Sequence, residues 1–559
     1  MTTFSHILQR SFEECPEKTA LTVLLAGKPD QTITYRQLLT GAAAWQRTFT
    51  REGIQPGEVV ILILQHSLEL MYAYWGTILH GAIPSIMPFL TEKLLPERYR
   101  ADLSALVGIT RPECVVTYRE FEPEVHQALG DSSSVRRVIV SDTIEPEGQV
   151  DFDSMDGLKR DPNDIVLLQH SSGTTGLQKG VALSHQAVSN QLASYSDALM
   201  LTPADVIVSW LPLYHDMGLI AGYLLPILLR VPLVLLSPFE WVRSPVKLLQ
   251  AVTRYRGTLT WLPNFAYNFC AQKIRERDLE GIDLSSLRAI SNCSEPMRAE
   301  SHQAFYERFA PFGLQASALC TCYAMAENVF AVTQGGIRHE VVIDEIDRHA
   351  MQTERQAVPA IEGQPSVKMV SAGPAIPNVE VMVTDEKGTR LPDRAIGELA
   401  LRSNCMLSEY YHRPDATAKA LKHGWYFTGD YGYMVGDQVY VAGRKKDMII
   451  VGGKNVYPMD LEELAMQVPG VHPGRVVAFG VFNEQAGTED VVIVAEVETQ
   501  DPAELERIGD EVRQMVTRGS AVALRHVHLV DAKWLIKTSS GKTARGANKE
   551  KYLKETGQQ

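Results

Sequence analysis

Residues 167–185 read LLQHSSGTTGLQKGVALSH, running from Leu167 to His185. An apolar run at Ile165–Leu168 reads as a buried strand, and it opens onto a cluster of hydroxyls and glycines: Ser171, Ser172, Gly173, Thr174, Thr175 and Gly176. Lys179 adds a mobile positive charge, and a helix is expected to start at His185. Glycines that free the backbone, amide donors beside hydroxyls, and one cation together describe a loop that can hold phosphate. The spacing is not that of GxxxxGK[ST], because the fifth residue after Gly173 is Gln178, so the nucleoside-triphosphatase form of such a loop is excluded.

Further strings follow in order: YAMAEN at Tyr323–Asn328, GELALRS at Gly397–Ser403, YFTGDYG at Tyr426–Gly432, GRKKDMIIVGGKNVYP at Gly443–Pro458 and KTSSGK at Lys537–Lys542. Taken with the loop, their order and spacing resemble the core motifs of the adenylate-forming superfamily of acyl-CoA synthetases, peptide-synthetase adenylation domains and luciferases. The resemblance runs along essentially the whole chain.

That resemblance implies an enzyme that uses ATP and Mg2+ to activate a carboxylic acid. It implies that Ser171–Gly180 wraps the β- and γ-phosphates, with Thr174 near the metal and Lys179 as charge partner. Tyr323 would stack on adenine and Glu327 would bind magnesium, a hard cation that prefers a carboxylate oxygen. Asp430 would accept from the ribose hydroxyls and Arg444 would reach the same sugar, while Ser294, Glu295, Pro296, Cys322 and Ala324 would border the nucleotide. Lys542 would bridge the acyl carboxylate and the α-phosphate, making it the residue for the first step. The chain departs from the usual pattern at Ala324 and Ala326, where family members often carry Gly and Thr, and at Ile536, where proline is usual.

WLPLYHDMG at Trp210–Gly218 places His215 where a strand ends, and in the resembled proteins this string gates the acyl and nucleotide pockets. WLPNFAYNF at Trp261–Phe269 would line an acyl tunnel through Asn264, Phe265 and Tyr267, joined by Met325. Two signals disagree about the acceptor of the acyl group. The stretch between Glu327 and Ser371 (residues 328–370) is longer than in ordinary CoA ligases, and together with YHDMGLI and SAGPAIPNVEV it resembles fatty-acyl-AMP ligases, whose insertion restrains domain rotation. Gly176 and the Gly-Gly pair in GGKNVYP look like CoA ligases instead. The expected substrate is a fatty or other aliphatic acid, with the phosphopantetheine thiol of an acyl carrier protein as acceptor. CoA is the alternative, followed by an amino-acid adenylation enzyme or a non-catalytic nucleotide- or acyl-binding protein.

A chain of 559 residues with 45% hydrophobic and 22% charged residues has the material for two or more globular domains. Its net charge of -13 argues against nucleic acid as a partner, although the local basic run Arg444–Lys446 can meet a small anion. Seven cysteines without metal-ligand spacing read as buried thiols of a reducing compartment. The charged N-terminus has no apolar core of a secretion signal, so a cytoplasmic location is expected. Leu219–Leu236 is apolar, but Pro226, Arg230 and Pro232 divide it into helix and strand lengths, which argues against a transmembrane segment.

Short apolar runs at Val59–Leu64, Cys114–Thr117, Val138–Val140, Ile207–Trp210, Leu233–Leu236 and Thr258–Leu262 alternate with helical stretches, predicting an α/β fold with helix-covered, mostly parallel sheets. From about residue 390 the texture becomes closely spaced strands and glycine turns, a small β-barrel-like subdomain. A small mobile α+β C-terminal domain follows. The expected division is 1–445, with 390–445 as the barrel-like part, and 446–559, and the resemblance puts the hinge at Lys446.

Overall fold

The structure is a computed structural model that describes residues 2–25, 27–89, 96–130, 133–171, 179–452, 454–484, 487–520, 522–538 and 541–557. Its largest sheet has seven strands in the order Leu319–Cys322, Ala289–Cys293, Leu259–Leu262, Ile207–Ser209, Leu233–Leu236, Thr19–Leu24 and Gln31–Thr34. Every neighbouring pair is parallel except the last. Runs such as LVLL and LTWL are buried along their whole length, as strands covered by helices on both faces must be. A second parallel sheet joins Ile83–Ile86, Val59–Leu62, Cys114–Thr117 and Arg137–Val140. The helices Tyr35–Arg51 and Leu68–Leu79 approach so closely that a Cβ on Gly76 would lie 2.4 Å from that of Trp45.

The apolar stretch after His215 divides as its prolines and Arg230 predict. A π-helix at Met217–Leu224 passes into a short α-helix at Leu225–Leu229 with Pro226 in its first turn. Arg230 then caps it in the left-handed region, at φ 58°, and the chain turns into the strand Leu233–Leu236. The π-helix is wedged beneath the site. A Cβ on Gly218 would sit 2.2 Å from the Pro212 carbonyl oxygen, and one on Gly222 would sit 2.6 Å from Ser209 Oγ. No helix among the described residues is long and apolar enough to cross a membrane.

Ile165–Ser171 pairs antiparallel with Lys179–Ser184, so the hydroxyl-rich segment joins two strands of a hairpin and the helix begins only after the second strand. That helix, His185–Ala198, is capped by Ser184, whose Oγ accepts from the Ala187 N–H. The short strand Glu409–Tyr410 adds to the hairpin's free edge. The β-rich subdomain begins at Val379, earlier than residue 390. Val379–Thr384, Gly397–Ser403, Trp425–Val435 and Gln438–Arg444 pair antiparallel in succession, with Leu421–Lys422 on the same sheet.

The extra length before Ser371 holds a hairpin of Ile343–Asp347 with Ser366–Val370, bridged by a π-helical turn at Ala350–Glu354. After the 3-10 turn Lys445–Asp447 the chain builds a separate apolar core, with Leu461, Val476, Ile493 and Val512 at its centre. Around it lie the strands Val471–Asn483, Thr488–Val497 and His526–Val530 and the helices Pro458–Met466, Pro502–Ser520 and Arg545–Thr556.

Gly218→Ala places a methyl group against a backbone carbonyl that cannot retreat. It should lower stability by roughly 1–3 kcal/mol, as overpacking does, and it should disturb His215, three residues away. Chemical denaturation of the purified variant measures this, and an unchanged midpoint would show that the π-helix is not tightly seated.

Candidate active site

Four adjacent parallel strands end at one edge of the large sheet, and the chain leaves each of them through a residue singled out by the sequence. His215 follows Ile207–Ser209, Asn264 follows Leu259–Leu262, Ser294 follows Ala289–Cys293 and Tyr323 follows Leu319–Cys322. The carboxyl edge of an open α/β sheet is where ligands sit. At this edge His215 Nδ1 approaches Asp216 Oδ1 to 2.6 Å, and the same oxygen accepts the Met217 N–H at 2.8 Å. Burial pushes the Asp216 carboxyl up, but the charges of His215 and Lys542 together with the Met217 N–H outweigh it and hold the group below the ordinary carboxylate range. Lys542, from the C-terminal unit, thus contributes its charge to the same carboxylate. Sequence reading named His215 and passed over Asp216, although its position beside a histidine in LYHDMG was the available signal.

Asp430 and Arg444 are register partners on neighbouring strands. Arg444 Nε donates to Asp430 Oδ1 at 2.7 Å, and the Tyr323 hydroxyl donates to Oδ2 at 2.6 Å. The carboxylate is only 5% exposed. Burial raises its pKa above the ordinary value, with Arg444 and the Tyr323 hydroxyl opposing the rise. Both oxygens are thus engaged by the protein itself. Tyr323 is held at both ends, since its backbone N–H donates to Thr333 Oγ1 at 3.1 Å.

Glu327 lies in a 3-10 turn, Ala326–Asn328, that ends on Val329 with φ 63°, a region a β-branched residue enters only under constraint. The Tyr410 hydroxyl donates to Glu327 Oε1 at 2.7 Å and lies 2.9 Å from the Tyr426 hydroxyl. The Lys179 ammonium stands 4.6 Å from the centre of the Tyr410 ring. A single carboxylate suits a magnesium ion that is carried largely by nucleotide phosphates and waters. Ser172, Gly173, Thr174, Thr175 and Gly176 lie outside the described residues, as does the side chain of Ser171.

The expected acyl-pocket residues divide. Asn264 Oδ1 accepts from Asn292 Nδ2 and from the Arg298 N–H, at 3.0 and 3.1 Å, and its amide donates to Ser301 Oγ. The Tyr267 hydroxyl donates to the Ile290 carbonyl at 2.8 Å, and its buried ring lies against His302. These two pin the helix Asn264–Lys273 to the sheet. Phe265 instead presents its ring outward, edge-on to Trp210 and Trp241, which stack with centroids 3.6 Å apart. Glu295 Oε2 accepts the Phe265 N–H at 2.9 Å, Pro296 is exposed, and Ser294 adopts φ 70° at the strand's end. Cys322 is buried opposite Cys293, and Ala324 and Met325 continue from Tyr323 into the Glu327 turn. Lys446 is exposed near Arg444 and Asp430, and burial of its ammonium lowers its pKa.

Residues 8–411 match the AMP-binding enzyme family. The chain belongs to that family. It is similar to a Mycobacterium tuberculosis protein named as ligase Rv1013, at 30% identity over 94% of this chain and 96% of that one. It is also similar to the medium-chain-fatty-acid–[acyl-carrier-protein] ligase JamA of Moorena producens, at 28% identity over 95% and 91% of the two chains. A solved structure from a study of fatty acyl-adenylate ligases of E. coli and L. pneumophila superposes with a TM-score of 0.90 at 26% identity, covering 100% of this chain and 98% of that one. The protein is an adenylate-forming ligase, and ATP is its nucleotide.

For this ligase Asp430→Ala tests the ribose assignment. The substitution should weaken ATP binding by roughly 2–4 kcal/mol, the worth of two hydrogen bonds to a charged acceptor, with the fold retained. Calorimetry on the folded variant checks it, and unchanged ATP affinity would move the ribose elsewhere.

Proposed function

We propose that this ligase activates a fatty or other aliphatic carboxylic acid as its acyl-adenylate and then transfers the acyl group to the phosphopantetheine thiol of an acyl carrier protein. The arrangement that supports the first step is the sheet edge where His215 Nδ1 lies 2.6 Å from Asp216 Oδ1, with the charge of Lys542, from the C-terminal unit, among the influences that lower the Asp216 pKa. The same edge bears Tyr323, whose hydroxyl donates to Asp430, the ion-pair partner of Arg444. In that arrangement a carboxylate oxygen attacks the α-phosphorus and pyrophosphate leaves, with Lys542 neutralising the charge that gathers between acid and phosphate. Magnesium, held by Glu327 and by Thr174 of the phosphate loop, would neutralise the phosphate oxygens. Asp430 and Arg444 orient the ribose and Tyr323 the base. Phe265, exposed and edge-on to the buried pair Trp210 and Trp241, offers an apolar, aromatic face suited to an aliphatic acid. The names of JamA and of the FadD32 long-chain-fatty-acid–AMP ligase of Mycobacterium marinum, 28% identical, favour the same substrate class.

In the second step the thiol sulfur attacks the acyl carbonyl, AMP leaves and a thioester forms, which requires Lys542 to withdraw and a thiol channel to open. The hairpin at 343–370 supports a carrier protein over CoA because it touches both units. Asp344 accepts from Arg394 at 3.1 Å and from Tyr433 at 2.9 Å on the β-rich sheet. Its π-turn residue Met351 shares an apolar cluster with Tyr457, and Asn455 Nδ2 donates to the Gln352 carbonyl at 3.4 Å. A strut of this kind opposes free rotation. The Gly452–Pro458 stretch and a Caulobacter vibrioides relative named as an acyl-CoA synthetase keep CoA as the second reading.

Lys542→Ala should reduce fatty-acid-dependent ATP–pyrophosphate exchange at least ~100-fold, the ~3 kcal/mol of one transition-state contact. Thiol transfer from synthetic acyl-adenylate should persist. Equal loss in both half-reactions, or loss in neither, would remove Lys542 from the assigned role.

Lys446→Pro should hold the two units in one arrangement, sparing acyl-AMP formation while blocking transfer. The strut has its own test, because Asp347 and Ser366 are direct register partners, so replacing residues 348–365 with Asn-Gly closes the same hairpin through a two-residue turn. The trimmed enzyme should transfer more acyl group to CoA relative to carrier protein, as read by mass spectrometry of the thioesters. Rapid acyl-CoA formation by the wild type, unchanged by trimming, would favour the acyl-CoA synthetase reading.

A further inference from the structure

We infer that Tyr410 is a positioning residue that aligns the Glu327 carboxylate with the phosphate-binding hairpin, so that magnesium and phosphate are met by one rigid assembly. The inference rests on the reading of Glu327 as the magnesium carboxylate. Tyr410 belongs to no motif that predicts it, and it is buried, at 3% exposure. Its backbone is part of the hairpin: Tyr410 pairs with Val181, and the following residue, Tyr411, donates its N–H to the Gly180 carbonyl at 2.8 Å. Its side chain reaches the other half of the site, donating from the hydroxyl to Glu327 Oε1 at 2.7 Å.

Two further contacts fix the phenol. Tyr426, four residues before Asp430, lies 2.9 Å away hydroxyl to hydroxyl, and Lys179 stands over the ring face at 4.6 Å. A hydroxyl with one hydrogen can donate to Glu327 only if it accepts from Tyr426, so the three oxygens have a single polarity running toward the carboxylate. The ring face meanwhile attracts the ammonium of Lys179. Glu327 itself sits 83 residues away in sequence, on a turn that ends in the strained Val329. The backbone of Glu327 is held separately, its carbonyl accepting the Leu407 N–H at 2.8 Å, a bond that leaves the side chain free to swing.

The two faces of Tyr410 can be separated in the full-length protein by measuring ATP affinity calorimetrically with and without magnesium, a readout that needs no acid substrate. Tyr410→Phe keeps the ring and removes the hydroxyl. It should bind metal-free ATP as the wild type does, while the gain in affinity on adding magnesium falls about tenfold, the worth of one hydrogen bond to a charged group. Tyr410→Leu should also weaken metal-free binding, because Lys179 loses its platform. Tyr426→Phe, a milder change that removes only the bond behind the hydroxyl, should reduce the magnesium gain less than Tyr410→Phe does. Glu327→Gln separates the layers of the argument. If it abolishes the magnesium gain while Tyr410→Phe and Tyr426→Phe retain it in full, the positioning role is overturned and the metal assignment stands. If Glu327→Gln also retains the gain, the metal assignment fails and the inference falls with it.

Discussion

The Asp216 carboxylate is where the two halves of the molecule act on each other. It is 12% exposed at the carboxyl edge of the large sheet, where an isolated charge would be expensive, and His215, the charge of Lys542 and the Met217 N–H hold its pKa down against that burial. Two of those partners come with the sheet and the third comes with the C-terminal unit. Direct contacts join the same two units elsewhere. Arg298, whose N–H is tied to Asn264 beside the sheet, meets Glu463 at 2.8 Å and Asp460 at 3.5 Å on the helix Pro458–Met466. The hairpin at 343–370 meets Asn455 and Tyr457 on the same unit.

These contacts differ in kind, and under the proposed two-step reaction the difference bears on how readily the units rotate. The Arg298 cluster is ionic and half-buried, so it can break and re-form in water at modest cost. The contact of Met351 with Tyr457 removes apolar surface from water and is anchored through Asp344 to the β-rich sheet, so separating it exposes that surface again. An enzyme restrained chiefly by the first would rotate readily, whereas one that also carries the second would favour the adenylating arrangement.

Much of the fold was legible in the sequence because buried parallel strands are written as unbroken apolar runs. Cys114–Thr117 and Leu233–Leu236 fall where those runs predict them. The break in Leu219–Leu236 was equally plain, since Pro226 and Arg230 can only end or cap a helix there. The π-helix was not legible: its widened turn follows from Gly218 lying under the Pro212 carbonyl, a contact that no periodicity records. In the site, residues in compact strings were visible one at a time, but their pairings were not. Asp216 with Lys542 and Glu327 with Tyr410 join residues far apart in sequence. The hydrogen bonds by which Asn264 and Tyr267 hold their helix were equally hidden, because a string names residues without their partners.

The connection between the units carries its own argument for where it can bend. Arg444 is fixed to Asp430, Lys445 to Glu398 at 3.1 Å, and Asp447 faces the buried Arg545 at 3.8 Å. The first two partners belong to the β-rich sheet and the third to the C-terminal unit, whose Arg545 also binds Glu462. Lys446 lies between these two sets and has no ion pair of its own among the described residues. A change of φ and ψ at any of its three neighbours would pull a paired side chain from its partner. At Lys446 the same change leaves every one of those pairs intact, and Arg545 turns with the C-terminal unit while Arg444 stays with Asp430. The electrostatics of the turn thus favour Lys446 as the hinge on grounds independent of any motif.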